Sequence, residues 1–301
     1  MLEVLKKIPL LKPAVRAMRR WLAAAIPDRV KDYWIVRYRY RKRRGRSLSL
    51  RRPETLSEKI QWIKLYDHKP IYTELADKYT ARRHVEAMIG KQYLVDLYGV
   101  YETVGQIDFD ALPDAFVLKA VHGSGWNILC PDKNALNREA TLATLDGWLH
   151  TNYYDHSREW VYKDIPPRIV CEEFLRTEDG RDLADYKLFC LNGEPRIVQV
   201  DLDRFHGHRR NLYDTDWNRL PFGIGYPPSP EDVPRPETLE EMLRLARRLS
   251  SLALLMRVDF YWHGGRIYFG EMTFYPGNGL ETFDPPEYDR VYGAMLTLPG
   301  R

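Results

Sequence analysis

The chain is poor in cysteine, in long apolar runs and, over its first fifty residues, in acid. Its three cysteines, Cys130, Cys171 and Cys190, stand far apart. That spacing argues against a disulfide framework or a zinc knuckle and favours a reducing compartment. The longest amino-terminal apolar run, Trp21 to Ile26, is far too short to span a bilayer and lacks the extended apolar region of a cleavable signal. No internal repeat, low-complexity block or dinucleotide-binding glycine fingerprint is present. Acid is scarce where base is abundant: residues 1–52 hold 17 Lys and Arg against 3 acidic residues, which leaves 29 against 39 in the remainder. The net charge of +4 therefore hides a basic extension on a mildly acidic body.

What is present is globular. A hydrophobic content of 44% with 29% charged residues in 301 residues allows one or two domains. The 20 Tyr and 8 Trp suit an apolar or sugar-facing surface. Three segments are expected: a basic extension over 1–50, a helical or α+β part over 51–115, and the main domain over 116–301.

The extension scatters Val4, Leu5, Ile8, Leu11, Val15, Met18, Trp21, Leu22 and Ile26 among lysines and arginines at roughly helical spacing. An interleaved run of arginine and tyrosine, Arg37 to Arg46, follows. Three readings stand. A membrane-surface segment would use the apolar face and an anionic leaflet. A nucleic-acid patch would need only the Arg-Tyr run, and a helix with a solvated basic face needs no partner. The membrane reading is preferred and a nucleic-acid partner is not expected, which places the chain in the cytoplasm, peripheral on the inner face of the plasma membrane.

In the body, Thr55-Leu56-Ser57-Glu58 has the look of a helix start, and a second helix is expected over 70–90. Phe116–Val121 reads as a buried strand interrupted by Lys119, and His122-Gly123-Ser124-Gly125-Trp126-Asn127 as a small-residue loop. Helices are expected over 137–155 and 237–256, and a strand over Ile169–Leu175. A hairpin turns at Leu191-Asn192-Gly193-Glu194. His206 and His208 read as solvated loop histidines. Arg204, Arg209 and Arg210, in a loop after the second hairpin strand, could grip an acidic acceptor or simply be solvated.

Near the carboxyl end, two strand-like runs flank the turn signal His263-Gly264-Gly265-Arg266. Each carries a carboxylate, Asp259 or Glu271, where an apolar residue would be expected. On paired antiparallel strands the two would share a face within reach of one divalent cation, with Arg257 beside them; the alternative is a pair of surface acids. A hard-cation site next to a fixed cation suits phosphoryl chemistry.

The strand lysine, the Gly-Ser loop, the Glu172-Glu173-Phe174-Leu175 strand, the Asp185-Tyr186-Lys187 strand and the Arg257-x-Asp259, Glu271-x-Thr273, Pro276-Gly277 series together resemble the ATP-grasp fold. More closely they look like the TupA-like ATP-grasp family of bacterial surface-polysaccharide biosynthesis, from about Pro53 to Pro285. The resemblance implies an α+β fold whose two α+β subdomains grip ATP, preceded by a helical basic extension. It further implies Lys119 at the α-phosphate and adenine edge, Lys78 at the phosphates, and His122, Gly123, Ser124, Gly125 and Asn127 closing over the triphosphate. Glu172 would accept from the adenine amino group, with the backbone of Glu173 and Leu175 completing that edge. Asp185 would meet the ribose, Lys187 a phosphate, Arg257 the transferring phosphoryl, and Asp259 and Glu271 Mg²⁺. The fold usually has Glu-x-Asn at the second metal position; here it is Glu271-Met272-Thr273, a poorer ligand set. The activity implied is carboxylate–amine ligation through an acylphosphate, joining an amino acid or other amine to a uronic-acid carboxyl in an acidic glycan or lipid-linked saccharide. A sugar kinase, a glycosyltransferase and a non-catalytic scaffold of the polysaccharide assembly machinery are the rivals. Asp201-Leu202-Asp203 and Asp214-Thr215-Asp216 are isolated matches to a nucleotide-sugar motif.

Overall fold

A computed structural model describes residues 26–176, 183–202 and 207–300. The chain forms two compact units, Met1–Leu48 and Ser49–Arg301. The expected apolar segment over 1–25, with Trp21, lies outside the described residues, as do Arg204 and His206.

In the first unit, helix α1 runs Asp28–Arg44 and stops at Gly45, whose φ of +68° suits a residue without Cβ and whose N–H donates to the Arg41 carbonyl at 2.9 Å. Arg41, Lys42, Arg43 and Arg44 fill the last turn, where the helix dipole favours cations. The periodicity divides the helix into faces. Asp32, Val36 and Tyr40 are buried, whereas Val30, Trp34 and Tyr38 are 45%, 64% and 67% exposed. No helix among the described residues is long and apolar enough to cross a membrane.

The second unit opens with α2 (Leu56–Tyr66). Its predicted start is a full capping box: the Glu58 N–H donates to Thr55 Oγ1 at 3.2 Å, and the Thr55 N–H to Glu58 Oε2 at 3.3 Å. The single helix expected over 70–90 is two, α3 (Pro70–Ala76) and α4 (Ala81–Met88). Asp77 makes the break. Its Oδ1 accepts from the Tyr79 N–H at 2.8 Å, a side-chain competitor for the backbone that propensity alone does not flag, and Arg168 holds its Oδ2 at 2.6 Å.

Four antiparallel strands, β1 (Leu97–Tyr101), β2 (Phe116–Ala120), β3 (Asn127–Cys130) and β4 (Ile169–Glu173), form a sheet ordered β1-β4-β2-β3. Helix α5 (Arg138–Leu149) contributes Leu145 to the core formed with Phe116, Leu118, Ile169 and Cys171. The helix expected over 137–155 ends at Leu149, and α6 (Tyr153–Ser157) is separate.

The second sheet is ordered β10-β9-β5-β6-β7, from β5 (Asp185–Leu191), β6 (Glu194–Leu202), β7 (Arg209–Tyr213), β9 (Leu255–His263) and β10 (Arg266–Thr273), all antiparallel. Both expected hairpins are present. Asn192 and Gly193 turn at φ +50° and +85°, Gly264 and Gly265 at +56° and +76°, the left-handed pair that two-residue hairpins require. Helix α7 (Leu239–Ser250) lays Leu239, Met242, Leu245 and Leu249 on β9, β6 and β5. The helix expected to continue to 256 stops earlier, because Leu255 already begins β9. A short ladder joins β8 (Gly223–Ile224) to β11 (Phe283–Asp284), and α8 (Glu287–Met295) closes the chain.

α8 crosses the start of α2 closely. A Cβ on Gly293 would sit 2.1 Å from the Glu54 carbonyl oxygen and 2.7 Å from the Leu56 nitrogen. Lys59 spans the same crossing, donating to the Gly293 and Leu296 carbonyls at 2.7 and 2.6 Å. Gly293→Ala should therefore cost roughly 1–3 kcal/mol by overpacking, read as a melting temperature lower by about 2–4 °C for each kcal/mol. An unchanged melting curve would show that the helices can part without penalty.

Candidate active site

The five-stranded sheet has one apolar and one polar face. Leu188, Val198, Val200, Val258 and Phe260 are all fully buried on the face towards α7. The alternate positions read Asp185 and Lys187 on β5, Gln199 and Asp201 on β6, Arg257 and Asp259 on β9, and Glu271 and Thr273 on β10. Period-two alternation sets most of this pattern. The exception is β10. Phe269 pairs with Phe260 but Glu271 pairs with Asp259, so the register slips at Gly270. That bulge turns the odd-numbered residues of β10 from the apolar to the polar face. A Cβ on Gly270 would lie 3.2 Å from both the Asp259 carbonyl oxygen and the Tyr261 ring.

The hairpin carboxylates are therefore brought together as expected. Arg257 donates from Nε to Asp259 Oδ1 at 2.7 Å and from Nη2 to Asp259 Oδ2 at 2.6 Å, then from the same Nη2 to Glu271 Oε1 at 3.1 Å and Thr273 Oγ1 at 3.0 Å. The Thr273 hydroxyl donates to Glu271 Oε1 at 2.9 Å. Burial pushes the Asp259 carboxyl up to about 6, although Arg257 and Lys187 pull it down. Burial alone would raise Glu271 too, but Lys78, Arg257, the Thr273 hydroxyl and Lys187 hold it at about 2.

Lys187 bonds to Asp185 and lies 3.2 Å from Asp201 and 3.9 Å from Asp259. Asp185, expected at a ribose, is 1% exposed and serves instead as a counter-ion of this lysine. Arg210 also differs from expectation. It lies on strand β7 and not in a loop, and its Nε donates to Asp201 Oδ1 at 2.6 Å and its Nη1 to Glu281 Oε1 at 3.0 Å. It is buried and committed, so it is not available to grip an acceptor; Arg209 is exposed. His208 is no solvated residue either: its ring stacks on Tyr226 with centroids 3.8 Å apart, and its Nε2 lies 3.1 Å from Asp201.

At the first sheet, Lys119 donates to Glu172 Oε2 at 2.7 Å. Arg82, on α4, donates to Glu172 Oε1 at 2.8 Å and to the Val95 carbonyl at 2.7 Å. Burial would raise the Glu172 carboxyl, but Lys119 and Arg82 bring it below its ordinary value. The Glu173 N–H is taken by the Asp96 carbonyl at 2.9 Å, and Leu175 lies just past the end of β4. Lys78 donates to the Gly123 carbonyl at 2.5 Å and feels both Glu271 and Glu172, so it links the two clusters; burial lowers its ammonium pKa. In the glycine loop His122 is buried, its Nε2 2.9 Å from the Trp148 carbonyl oxygen, so its ring supports the loop. Ser124 is half-buried, and Gly125 and Asn127 are exposed.

Residues that the sequence did not single out complete the geometry. Gln61 and Lys64 on α2 hold the turn after β10: Gln61 Nε2 donates to the Asn278 and Gly279 carbonyls at 2.8 and 2.9 Å, and Lys64 donates to the Asn278 carbonyl at 3.0 Å. Gly277 and Asn278 sit there at φ +56° each. Asp201, noted only within an isolated Asp-x-Asp, joins Lys187 to Arg210. No pattern along the chain marks these contacts.

For a divalent cation, the donor set is Asp259, Glu271 and the Thr273 hydroxyl, all hard oxygen ligands on one face. No group of three or more His, Cys, Asp or Glu suited to a metal occurs among the described residues. Two carboxylates and a hydroxyl gathered on one face are the hard oxygen donors that Mg²⁺ takes, so their chemistry fits that ion.

Two antiparallel sheets, one offering a lysine and glutamate and the other a polar face of paired cations and carboxylates, define the ATP-grasp fold. Within that class the chain belongs to the TupA-like ATP-grasp family, whose family model matches residues 58–297. No curated protein matches it. Among solved structures it is similar to D-alanine–D-alanine ligase from Bacillus anthracis complexed with ATP, at 14% identity and a TM-score of 0.42, covering 67% of this chain and 54% of that one. It is also similar to D-alanine–D-alanine ligase from Helicobacter pylori, at 12% identity and TM-score 0.41, covering 81% and 70%. A third is the ATP-grasp ligase PsnB complexed with minimal precursor, Mg and ADP, at 11% identity and TM-score 0.39, covering 73% and 58%. The chain thus spans little more than half the length of the Bacillus anthracis enzyme.

Asp201 faces Lys187, Arg210 and His208 from within the sheet. Burial would raise its carboxyl, but these three neighbours hold it well below the usual aspartate value. Its stabilising contribution is therefore complete above the unfolded pKa near 3.8 and is lost as the pH falls towards the depressed folded value. Asp201→Asn should cost about 3–5 kcal/mol at neutral pH, because it strands buried cations. Urea unfolding measures this; an unshifted midpoint would show that the network is neutral in the folding balance.

Proposed function

We propose that this protein is an ATP- and Mg²⁺-dependent ligase that joins an amine, expected to be an amino acid, to the carboxyl group of a uronic acid in a bacterial surface polysaccharide or its precursor. The observation that carries the reading is the block of Arg257, Asp259, Glu271 and Thr273, with Lys187 and Lys78 in electrostatic reach. A carboxylate and a triphosphate are both anionic, so bringing them together requires cations held in advance. Lys119 and Lys78 would neutralise the phosphates, and Arg257 the phosphoryl group in transit. Mg²⁺, when bound at Asp259 and Glu271, supplies charge neutralisation at the phosphate oxygens. A carboxylate oxygen of the sugar attacks the γ-phosphorus as the bond to ADP breaks, giving an acylphosphate. The amine nitrogen then attacks the acyl carbon, phosphate leaves with the electrons of the broken C–O bond, and the nitrogen gives up its protons to solvent.

A glycosyltransferase is disfavoured by what the two Asp-x-Asp matches do. Asp201 is buried against Arg210 and Lys187, and Asp214 accepts from the Asp216 and Asn218 N–H groups of its own turn at 3.0 and 2.8 Å.

Incubation with ATP, Mg²⁺, a glucuronate-containing oligosaccharide and hydroxylamine should release ADP and trap a hydroxamate. A phosphorylated sugar without hydroxamate would establish the kinase instead, and UDP release from a UDP-sugar the transferase. Asp259→Asn and Glu271→Gln should each lower turnover by at least about a hundredfold, with native circular dichroism, since an amide cannot replace a charged metal ligand. Near-normal ADP release from either would refute the metal assignment.

The proposal extends to location. Val30, Trp34 and Tyr38 lie exposed four residues apart, with Arg41 and Lys42 exposed beside them, an amphipathic cationic surface that fits an anionic lipid leaflet. The full chain should sediment with phosphatidylglycerol vesicles and not with phosphatidylcholine vesicles, less so in high salt, and the Trp34→Ala, Tyr38→Ala double variant should lose that binding. Unchanged binding by the double variant, or none by the parent, would refute this surface, and competition by single-stranded RNA would favour the nucleic-acid reading.

A further inference from the structure

A cavity of about 550 Å³ lies along β7, the terminal strand of the second sheet, apart from the block of Arg257, Asp259, Glu271 and Thr273. Segment 219–227 forms it by meeting the strand at two points and standing away between them. At one end the Leu220 N–H donates to the Leu212 carbonyl at 2.8 Å, and at the other the Arg210 N–H donates to the Pro227 carbonyl at 3.0 Å. Between these points β8 pairs with β11 and the Gly225 N–H donates to the Thr282 carbonyl at 3.3 Å, so Thr282 and Asp284 close the far side. The walls are set in advance. The Tyr226 ring is held by the His208 ring, centroids 3.8 Å apart, and by the Arg210 guanidinium 4.7 Å from its centre. Phe222 stacks on Tyr288 with centroids 4.4 Å apart.

The cavity adjoins the polar face. Asp259, Lys187, Gln199 and Leu212 are register partners on β9, β5, β6 and β7, one row across the sheet, and Leu212 at its end lines the cavity. Three strand spacings, about 14 Å, separate Leu212 from Asp259. Arg210 joins the two regions from the next row: it bonds to Asp201 on the polar face and supports the Tyr226 ring in the cavity. The walls select the ligand. Tyr226, Phe222 and Pro227 offer apolar faces, while the exposed Arg219, Thr282 and Asp284 offer donors and acceptors. Asp232 and the Ser229 carbonyl fix the Arg219 guanidinium at 2.8 and 2.5 Å. The Asp284 carboxylate counts against a polyanion such as a nucleotide, and the polar rim against a lipid. A sugar ring meets both kinds of wall, because its C–H faces pack on aromatic rings and its hydroxyls give and accept hydrogen bonds. The volume is that of a site for a small organic ligand.

We propose that the cavity beside β7 is a saccharide subsite, which holds one sugar unit of the acceptor while a uronic-acid unit of the same chain presents its carboxyl near Asp259 and Glu271. This deepens the ligase reading and rests on it for what the saccharide does there. No single sugar ring spans about 14 Å, so the acceptor is a chain of several units, and a free uronic acid lacks this hold. Contacts so far from the reacting carboxyl act alike in the ground and transition states, so they lower KM and leave kcat.

Titration calorimetry, with Mg²⁺ and a non-hydrolysable ATP analogue present, compares hyaluronan and chondroitin hexasaccharides, both rich in glucuronate, with free glucuronic acid. At least one hexasaccharide should bind wild type about tenfold or more tightly than the monosaccharide, the gain of one or two hydrogen bonds. Asp284→Asn, which removes a charged acceptor, and Tyr226→Ala, which removes a wall, should each weaken hexasaccharide binding on the order of tenfold. Asp284 is exposed, so its variant keeps the test open should Tyr226→Ala fail to fold; melting curves report on folding. In the hydroxylamine assay the same variants should raise the hexasaccharide KM and leave kcat, whereas a merely structural defect would lower kcat as well. Equal affinity for the hexasaccharides and glucuronic acid, or unweakened binding by the folded variants, would overturn the subsite even where hydroxamate forms. Hexasaccharide binding that the variants weaken, with no ADP or hydroxamate from wild type, would uphold the subsite and overturn the ligase reading.

Discussion

The Arg257 guanidinium holds Asp259 through two N–H groups and reaches Glu271 and Thr273 through one of them, and the polar face of the second sheet depends on that fork. Asp259 and Glu271 sit directly opposite one another on neighbouring strands, the arrangement in which like charges repel most strongly. A planar guanidinium can bond to both carboxylates at once, which a lysine ammonium does less well because it acts as a point charge. Lys187 plays the complementary part, sitting among Asp185, Asp201 and Asp259. Cations and carboxylates thus alternate across β10, β9, β5, β6 and β7, buried and bracketed except at the half-buried Glu271. Such a face adds little stability compared with an apolar one. On the proposed ligase reading, its value is a field already oriented before anionic substrates arrive.

The remainder of the second unit keeps this face in place. α7 fills the opposite face of the sheet with leucines, so the strands cannot tilt without losing apolar burial. α2 grips the turn that follows β10 through Gln61 and Lys64, and is itself anchored at its start by Asp289, which accepts from the Ser57 N–H at 2.8 Å. Three residues of one turn of α2 thus hold three different elements: Glu58 caps the helix, Lys59 bridges to α8, and Gln61 holds the turn after β10.

Much of this was legible in the sequence, for identifiable reasons. Both glycine hairpins were visible because left-handed turns demand particular residues, and the charged strand positions because they interrupt alternation. Lys119 and Glu172 belong to strands that pair directly, and their bond follows from that pairing. Arg82 meets Glu172 from 90 residues away on an ordinary helix, and nothing local announces it. Arg210 was mistaken for a loop cation because the sequence conceals both its strand and its two acidic partners. The Asp77 break was missed because a helix periodicity continues across it while one side chain competes for the backbone.

The bulge at Gly270 has a consequence for how this strand can change. Ile267 and Phe269 answer to the packing of the core, whereas Glu271 and Thr273, only a few residues on, answer to the charge on the opposite face. The two halves of one strand can therefore vary under separate constraints, joined at a single residue too small to take sides. Removing that residue would put Glu271 directly after Phe269 in plain alternation, so each half would keep its face and only the local bend would go, whereas one residue added within either half would turn that half over.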